Sequence, residues 1–147
     1  MIEPVYIDTS CLLKLLIPEP ATESVRDAVA VERDIVVSTL AQVEARTRLL
    51  ALRRGGAMTN RQYLGVIKAL DDWMKLSPFR TESLAGNIFE TAIGMLKKRG
   101  ATPCRSLDRL HIAAMVTLEL RRLLTADERQ AKAAEDEGFA VTFIAER

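Results

Sequence analysis

Histidine occurs once and cysteine twice in the 147 residues, and each scarcity removes a class of chemistry. With His111 as the sole imidazole, with no Gly-x-Ser-x-Gly elbow and with no Gly-rich phosphate loop, the sequence argues against histidine-driven nucleophilic catalysis and against nucleotide cradling of that kind. Cys11 and Cys104 make no Cys-x-x-Cys pair and are too few for a disulfide framework, which fits a reducing cytoplasm. Met1-Ile2-Glu3-Pro4 lacks the basic start of a secretory signal. A formal net charge of +1 supplies no broad basic field, so any contact with nucleic acid must come from a local patch. Lys14 interrupts the most apolar early stretch, and no run approaches the ~20 apolar residues of a membrane-spanning helix. No repeat, linker or low-complexity tract is evident.

What is present reads as one domain over residues 1–147, 48% hydrophobic and 28% charged, enough to build its own core. Val5-Tyr6-Ile7 is a short apolar strand, and Asp8-Thr9-Ser10 offers capping side chains to a helix carrying Cys11, Leu12, Leu13, Leu15 and Leu16. Pro18-Glu19-Pro20 breaks it and opens a second helix with Val25, Val29 and Ala28 inward. Ile35-Val36-Val37 is a buried strand. Ser38 or Thr39 caps a helix to about Arg54, with Leu40, Val43, Thr47 and Leu50 at helical spacing and Gly55-Gly56 as its end. Thr59 to Lys75 is helical. Leu76 to Phe79 contains Pro78, which suits only an edge strand or a loop. A helix is expected from Glu82 to Arg99, with Gly100 as its stop. Another runs from a Ser106 cap through Leu120, with Leu107, Leu110, His111, Ala114 and Leu118 on one face and Ile112, Ala113 and Val116 on the other, so it should lie centrally. Leu123 to Thr125 is a strand, Asp127 to Gly138 a helix, and Ala140 to Ile144 a last strand rich in β-branched and aromatic residues. Strands alternating with helices imply a mostly parallel sheet of four or five strands between helical layers, an α/β three-layer sandwich.

Ligands of open α/β sheets bind beyond the carboxyl ends of the strands, where strand order reverses. Asp8 and Asp127 follow strand ends, Asp108 opens a helix, and Glu44 shares a stripe with Leu40, Thr47 and Ala51. Each has a plain alternative: helix capping for the aspartates, and a surface pair with Arg48 for Glu44. Taken together, the four would lie at one end of a parallel sheet. Carboxylates gathered there repel by about 1 to 4 kcal/mol per pair at 4 Å, and a hard divalent cation such as Mg²⁺ or Mn²⁺ relieves this while keeping sites for water and phosphate. Thr9, Ser10 and Thr125 could orient the carboxylates, although each is equally explained as a cap or strand residue. His111, on a face with Asp108 and Met115, reads more readily as packed than as catalytic. Lys14, Arg46, Arg48, Arg53, Arg54, Arg105, Arg109 and Arg129 are either a phosphate track or ordinary solvated charges.

The segments Val5 to Ser10, Ser38 to Glu44, Asp108-Arg109-Leu110-His111-Ile112-Ala113-Ala114 and Leu124-Thr125-Ala126-Asp127 occur in an order that resembles the PIN-domain family, and within it the VapC toxins of toxin–antitoxin pairs. The resemblance spans the whole chain. It implies strand order 3-2-1-4-5 and metal-dependent hydrolysis of RNA phosphodiesters. It also implies Mg²⁺ or Mn²⁺ held by Asp8, Asp127 and Asp108, Glu44 orienting or deprotonating the attacking water, a homodimer, and a VapB-like antitoxin that blocks the pocket. Arg109 departs from the small residue many relatives carry after the third acid, which touches the width of the pocket's rim. A haloacid-dehalogenase phosphatase would need Asp-x-Asp after the first strand, where Ser10 stands. A receiver-like signalling domain would need paired acids there, an Asp ending the third strand and a Lys near the last. A PIN-fold RNA-processing nuclease without an antitoxin remains the open alternative.

Overall fold

A computed structural model describes residues 3–145 and shows the alternation in full. Of the opening tetrapeptide read for a signal sequence, Met1 and Ile2 lie outside the described residues. The elements are β1 (Val5–Ile7), α1 (Thr9–Leu16), α2 (Thr22–Ala30), β2 (Ile35–Ser38), α3 (Thr39–Arg54), α4 (Asn60–Trp73), β3 (Phe79–Glu82), α5 (Ile88–Leu96), α6 (Ser106–Thr117), β4 (Arg122–Thr125), α7 (Glu128–Asp136) and β5 (Ala140–Phe143). All five strands are parallel, in the order β3-β2-β1-β4-β5. A receiver-type doubly wound sheet instead runs 2-1-3-4-5. Among the described residues no helix is long and apolar enough to cross a membrane.

The period-2 alternation of strand side chains builds two cores from one sheet. Val5, Ile7, Ile35, Val37 and Leu124 face α1 to α4, packing on Cys11, Leu12, Val25, Leu49 and Leu70. Tyr6, Val36 and Leu123 face α5 to α7, against Ile88, Met95, Ile112, Met115 and Ala134. β1 is buried on both sides, so its three residues carry no solvent-side alternation, as parallel central strands require.

Three elements differ in their boundaries from the sequence expectation, and a fourth in the face it buries. The third strand is Phe79–Glu82, not Leu76 to Phe79: Pro78 has no N–H to give the ladder, so pairing starts just after it, while its carbonyl still accepts from Ile35 N at 2.8 Å. It is an edge strand, as expected. Because Glu82 pairs opposite Ser38, the following helix cannot begin there and spans only Ile88–Leu96. The inward stripe of α3 is Ala41, Ala45 and Leu49, roughly one residue round from the expected Leu40, Val43, Thr47 and Leu50, and Val43 is 62% exposed. Ser38 starts the helix immediately after β2 by accepting from Ala41 N at 3.1 Å, and the small alanines let α3 lie close against α1. α6 is central as expected, but Leu107 lies on its exposed side, Arg105 rather than Ser106 is the N-cap, and the helix stops at Thr117.

Candidate active site

Because every strand is parallel, the helices that follow β1, β2 and β4 begin at the same sheet edge, and their free N–H groups give that edge a positive bias favourable to carboxylates. β1 hands the chain outward to β2 and β3, whereas β4 and β5 lie on its other side, so the order reverses between β1 and β4. Asp8 and Asp127 leave the ends of those two strands, with Asp8 N bonded to Leu124 O at 2.9 Å.

Asp8 is buried and makes no side-chain cap bond to α1. Its Oδ2 accepts from Ser10 Oγ at 2.7 Å and Thr125 Oγ1 at 2.9 Å, while Oδ1 lies 4.0 Å from Nε2 of His111. The two hydroxyls are locked in turn: Ser10 Oγ accepts from Ala126 N, and Thr125 Oγ1 accepts from Asp127 N, both at 3.0 Å. Asp127 does cap α7, through Oδ1 to the N–H groups of Arg129 and Gln130, which leaves Oδ2 to Arg105 at 3.1 Å. The same guanidinium donates from Nε to Asp108 Oδ2 at 3.0 Å. Burial pushes the Asp108 carboxyl above its ordinary value; Arg105 opposes this, and the negative charges of Asp127 and Asp8 add to it.

Glu44 is half-buried at the border of the α3 inner face and does not bond Arg48. Thr9 Oγ1 donates to its Oε1 at 2.9 Å, and Nε2 of His111 contacts the same oxygen. Burial alone would raise the Glu44 carboxyl, but the hydrogen bond and charge of His111, with help from Thr9 and Arg105, outweigh it and hold Glu44 below the usual carboxylate range. His111 is packed, as its sequence position suggested, yet its packing also serves the site. Nδ1 lies 2.5 Å from Tyr6 Oη, which lies 2.8 Å from Ser38 Oγ. Ser38 Oγ also accepts from Ala41 N, so one chain of hydrogen bonds runs from the α3 cap through the phenol and the imidazole to Glu44. Burial keeps the Tyr6 phenol far above its usual value and therefore protonated. The sequence reading missed Tyr6, Ser38 and the bridging part of Arg105. One signal was available: a phenol in a strand buried on both faces must find a polar partner.

The proposed cationic track does not survive as a whole. Lys14 is buried and paired with Glu19 at 3.1 Å, Arg46 with Asp71 at 2.8 Å, and Arg53 bonds Asn60 and stacks over Tyr63. Arg109 does not stand at the rim: it is buried, donating to Thr102 O at 2.6 Å and pairing with Glu137. Arg105 and Arg129 remain beside the acids.

Among the described residues, no three His, Cys, Asp or Glu side chains converge as they stand closely enough to hold an ion. The donor set still fits a hard divalent cation. Its acids are oxygen donors, Asp8 and Glu44 are oriented by hydroxyls, and Asp108 and Asp127 already share one cation, the exposed guanidinium of Arg105.

Residues 5–136 match the family profile described as PIN domain. The chain belongs to the PIN-domain family. Two curated proteins of Mycobacterium tuberculosis are similar to it: Ribonuclease VapC47 of strain CDC 1551 / Oshkosh, 30% identical with 92% of this chain and 93% of that protein covered, and Ribonuclease VapC46 of strain H37Rv, 28% identical with 93% and 95% covered. Among solved structures, this PIN domain superposes on the sarcin–ricin-loop-cleaving toxin VapC20 of M. tuberculosis with a TM-score of 0.68 at 16% identity, covering 92% of this chain and 96% of that one. It also superposes on VapBC2 of Rickettsia felis bound to a promoter DNA fragment, with a TM-score of 0.67 at 9% identity and 95% and 98% covered. At such identities these two superpositions speak for the fold.

Proposed function

We propose that this PIN domain is a divalent-metal-dependent endoribonuclease acting as the toxin of a toxin–antitoxin pair. The observation that carries the reading is the gathering of Asp8, Glu44, Asp108 and Asp127 at one sheet edge, in a family whose similar members bear the name ribonuclease. Asp8, Asp127 and Asp108 would hold Mg²⁺ or Mn²⁺, which when bound supplies charge neutralisation for phosphate oxygens and acidifies water. Ser10 and Thr125 hold Oδ2 of the Asp8 carboxylate, which leaves Oδ1, 4.0 Å from Nε2 of His111, for the cation. Glu44, kept ionised by His111 and Thr9, orients the attacking water and accepts its proton. The products are a 5′-phosphate and a 3′-hydroxyl. Free Cys11 and Cys104 suit a reducing cytoplasm, and a homodimer restrained by a VapB-like antitoxin completes the reading.

Asp8→Asn is the decisive variant, because it keeps the hydroxyl-facing shape and removes the charge. RNA cleavage should vanish while the melting transition persists, and growth arrest on expression should vanish with it. Cleavage retained by the variant would remove Asp8 from the mechanism; arrest that persists without cleavage would end the toxin reading.

A further inference from the structure

Beside the acid cluster lies a cleft of about 740 Å³ between the Thr102–Arg105 segment and the first turns of α7. That volume falls within the range of ligand sites, roughly 300–1,000 Å³. Arg105, Arg129 and Lys132 bring three cations to it against the single acid Glu128. Arg129 and Lys132 are three apart on α7 and so share a face.

The three cations are not equivalent. Lys132 is paired with Asp136 at 3.0 Å, and Arg105 bridges Asp108 and Asp127. The Arg129 side chain is exposed and has no hydrogen-bond or ion-pair partner among the described residues. The opposite wall is held in place from behind. Buried Arg109 donates to Thr102 O, and Thr102 Oγ1 reaches Asp136 on α7. A charged side chain this buried, spent on one loop carbonyl and Glu137, fixes the shape of the wall.

We propose that this cleft is a subsite for the sugar-phosphate backbone of the RNA strand flanking the cut, with Arg129 as its principal phosphate contact and Arg105 joining it to the acid cluster. The proposal rests on the ribonuclease reading for the identity of the polyanion. No aromatic ring lines the cleft, so contact falls on phosphates rather than on stacked bases, and binding there is tolerant of sequence. A chain of near-zero net charge needs such a patch to hold RNA at all.

The test measures binding apart from cleavage. A fluorescein-labelled single-stranded RNA of mixed sequence is titrated by anisotropy in chelator-containing buffer across a salt series, with wild type, Arg129→Gln, Arg129→Lys and Arg33→Gln. Arg33 is exposed in the loop before β2, at the opposite sheet edge, and serves as the charge control. Arg129→Gln should weaken binding about five- to tenfold and lower the slope of log K against log salt by about 0.7, the loss expected for one single-strand phosphate contact. Arg129→Lys should recover part of it, and Arg33→Gln should match wild type. In cleavage assays Arg129→Gln should raise KM and spare kcat. The subsite is overturned if wild type binds no RNA, if Arg129→Gln binds as wild type, if Arg33→Gln loses as much, or if poly-glutamate rather than RNA binds in an Arg129-dependent way. Arg129-dependent RNA binding by a wild type that cuts no RNA would uphold the cleft and refute the ribonuclease reading alone.

Discussion

Tyr6→Phe isolates the bracing of Glu44, because it deletes one oxygen and leaves the ring that fills the core. Tyr6 is fully buried, so the ring's packing on Val36 and Ile112 is unchanged by the substitution. What is lost is the link between Ser38 Oγ and His111 Nδ1, at 2.8 and 2.5 Å. Ser38 retains Ala41 N as a donor to its oxygen, but Nδ1 of His111 loses its hydrogen-bond partner, and no other described residue bonds that nitrogen. An unsatisfied buried polar group costs about 1–3 kcal/mol. At roughly 2.1 cal/mol/K per residue of unfolding entropy, a chain of this length loses about 3 °C of midpoint per kcal/mol, so a fall of about 3–10 °C is expected. Freed from Tyr6, His111 can turn or exchange its ring hydrogen, and Glu44 loses its fixed donor. General-base assistance contributes about 10²- to 10⁴-fold, and its partial loss should appear in kcat rather than KM. Thermal melts and steady-state RNA cleavage measure the two effects together. An unchanged midpoint with unchanged kcat would refute the hydrogen-bond chain; a lower midpoint with unchanged kcat would leave Tyr6 structural and unconnected to Glu44.

Other consequences are separately measurable. Mg²⁺ or Mn²⁺ at a hundred times its dissociation constant should stabilise the native state by about 2.7 kcal/mol, a rise of about 8 °C, and a midpoint flat across millimolar metal would count against the shared carboxylate site. A carboxyl raised in the folded state, as Asp108 is, contributes stability in full below its ordinary value of 3.8 and loses it as pH climbs through the raised value. Asp108→Asn should therefore melt higher than wild type at pH 7 in metal-free buffer, with the difference closing toward pH 4; a lower melt at pH 7 would contradict this. Ser38→Ala removes both the α3 cap and a partner of Tyr6, so it should cost more than the ~1 kcal/mol of a lone cap, and a loss of half that or less by denaturant melts would show that the two roles are not joined.

Much of the architecture was legible because it follows from local rules. A β-branched or apolar triplet followed by Asp-Thr-Ser or Ser-Thr marks a strand meeting a helix cap, and the regular alternation of such units specifies parallel pairing. Those rules located β1, β2 and β4, the ends of α3 near Gly55 and of α4 near Lys75, and the edge character of the third strand. They failed where pairing overrode propensity: Glu82 reads as helix until its ladder with Ser38 is formed, and α3 reads as turned toward Val43 until the alanines are seen to allow closer approach. The four acids and the hydroxyls of Thr9, Ser10 and Thr125 could be named from the sequence, but the parts played by Tyr6, Ser38 and Arg105 could not. Arg105 is three residues from Asp108 and 22 from Asp127, so its bridge across both depends on α6 and α7 starting side by side.

The chain order of residues determined which groups stand at strand ends and helix starts, since backbone geometry and capping act over a few positions. Only the tertiary structure decided which of them meet: Tyr6 and His111 lie 105 positions apart, Thr9 and Glu44 35. No periodicity carries information over such distances. The sheet does, because parallel strands bring every succeeding helix to one edge, where burial compels each polar group to find a partner.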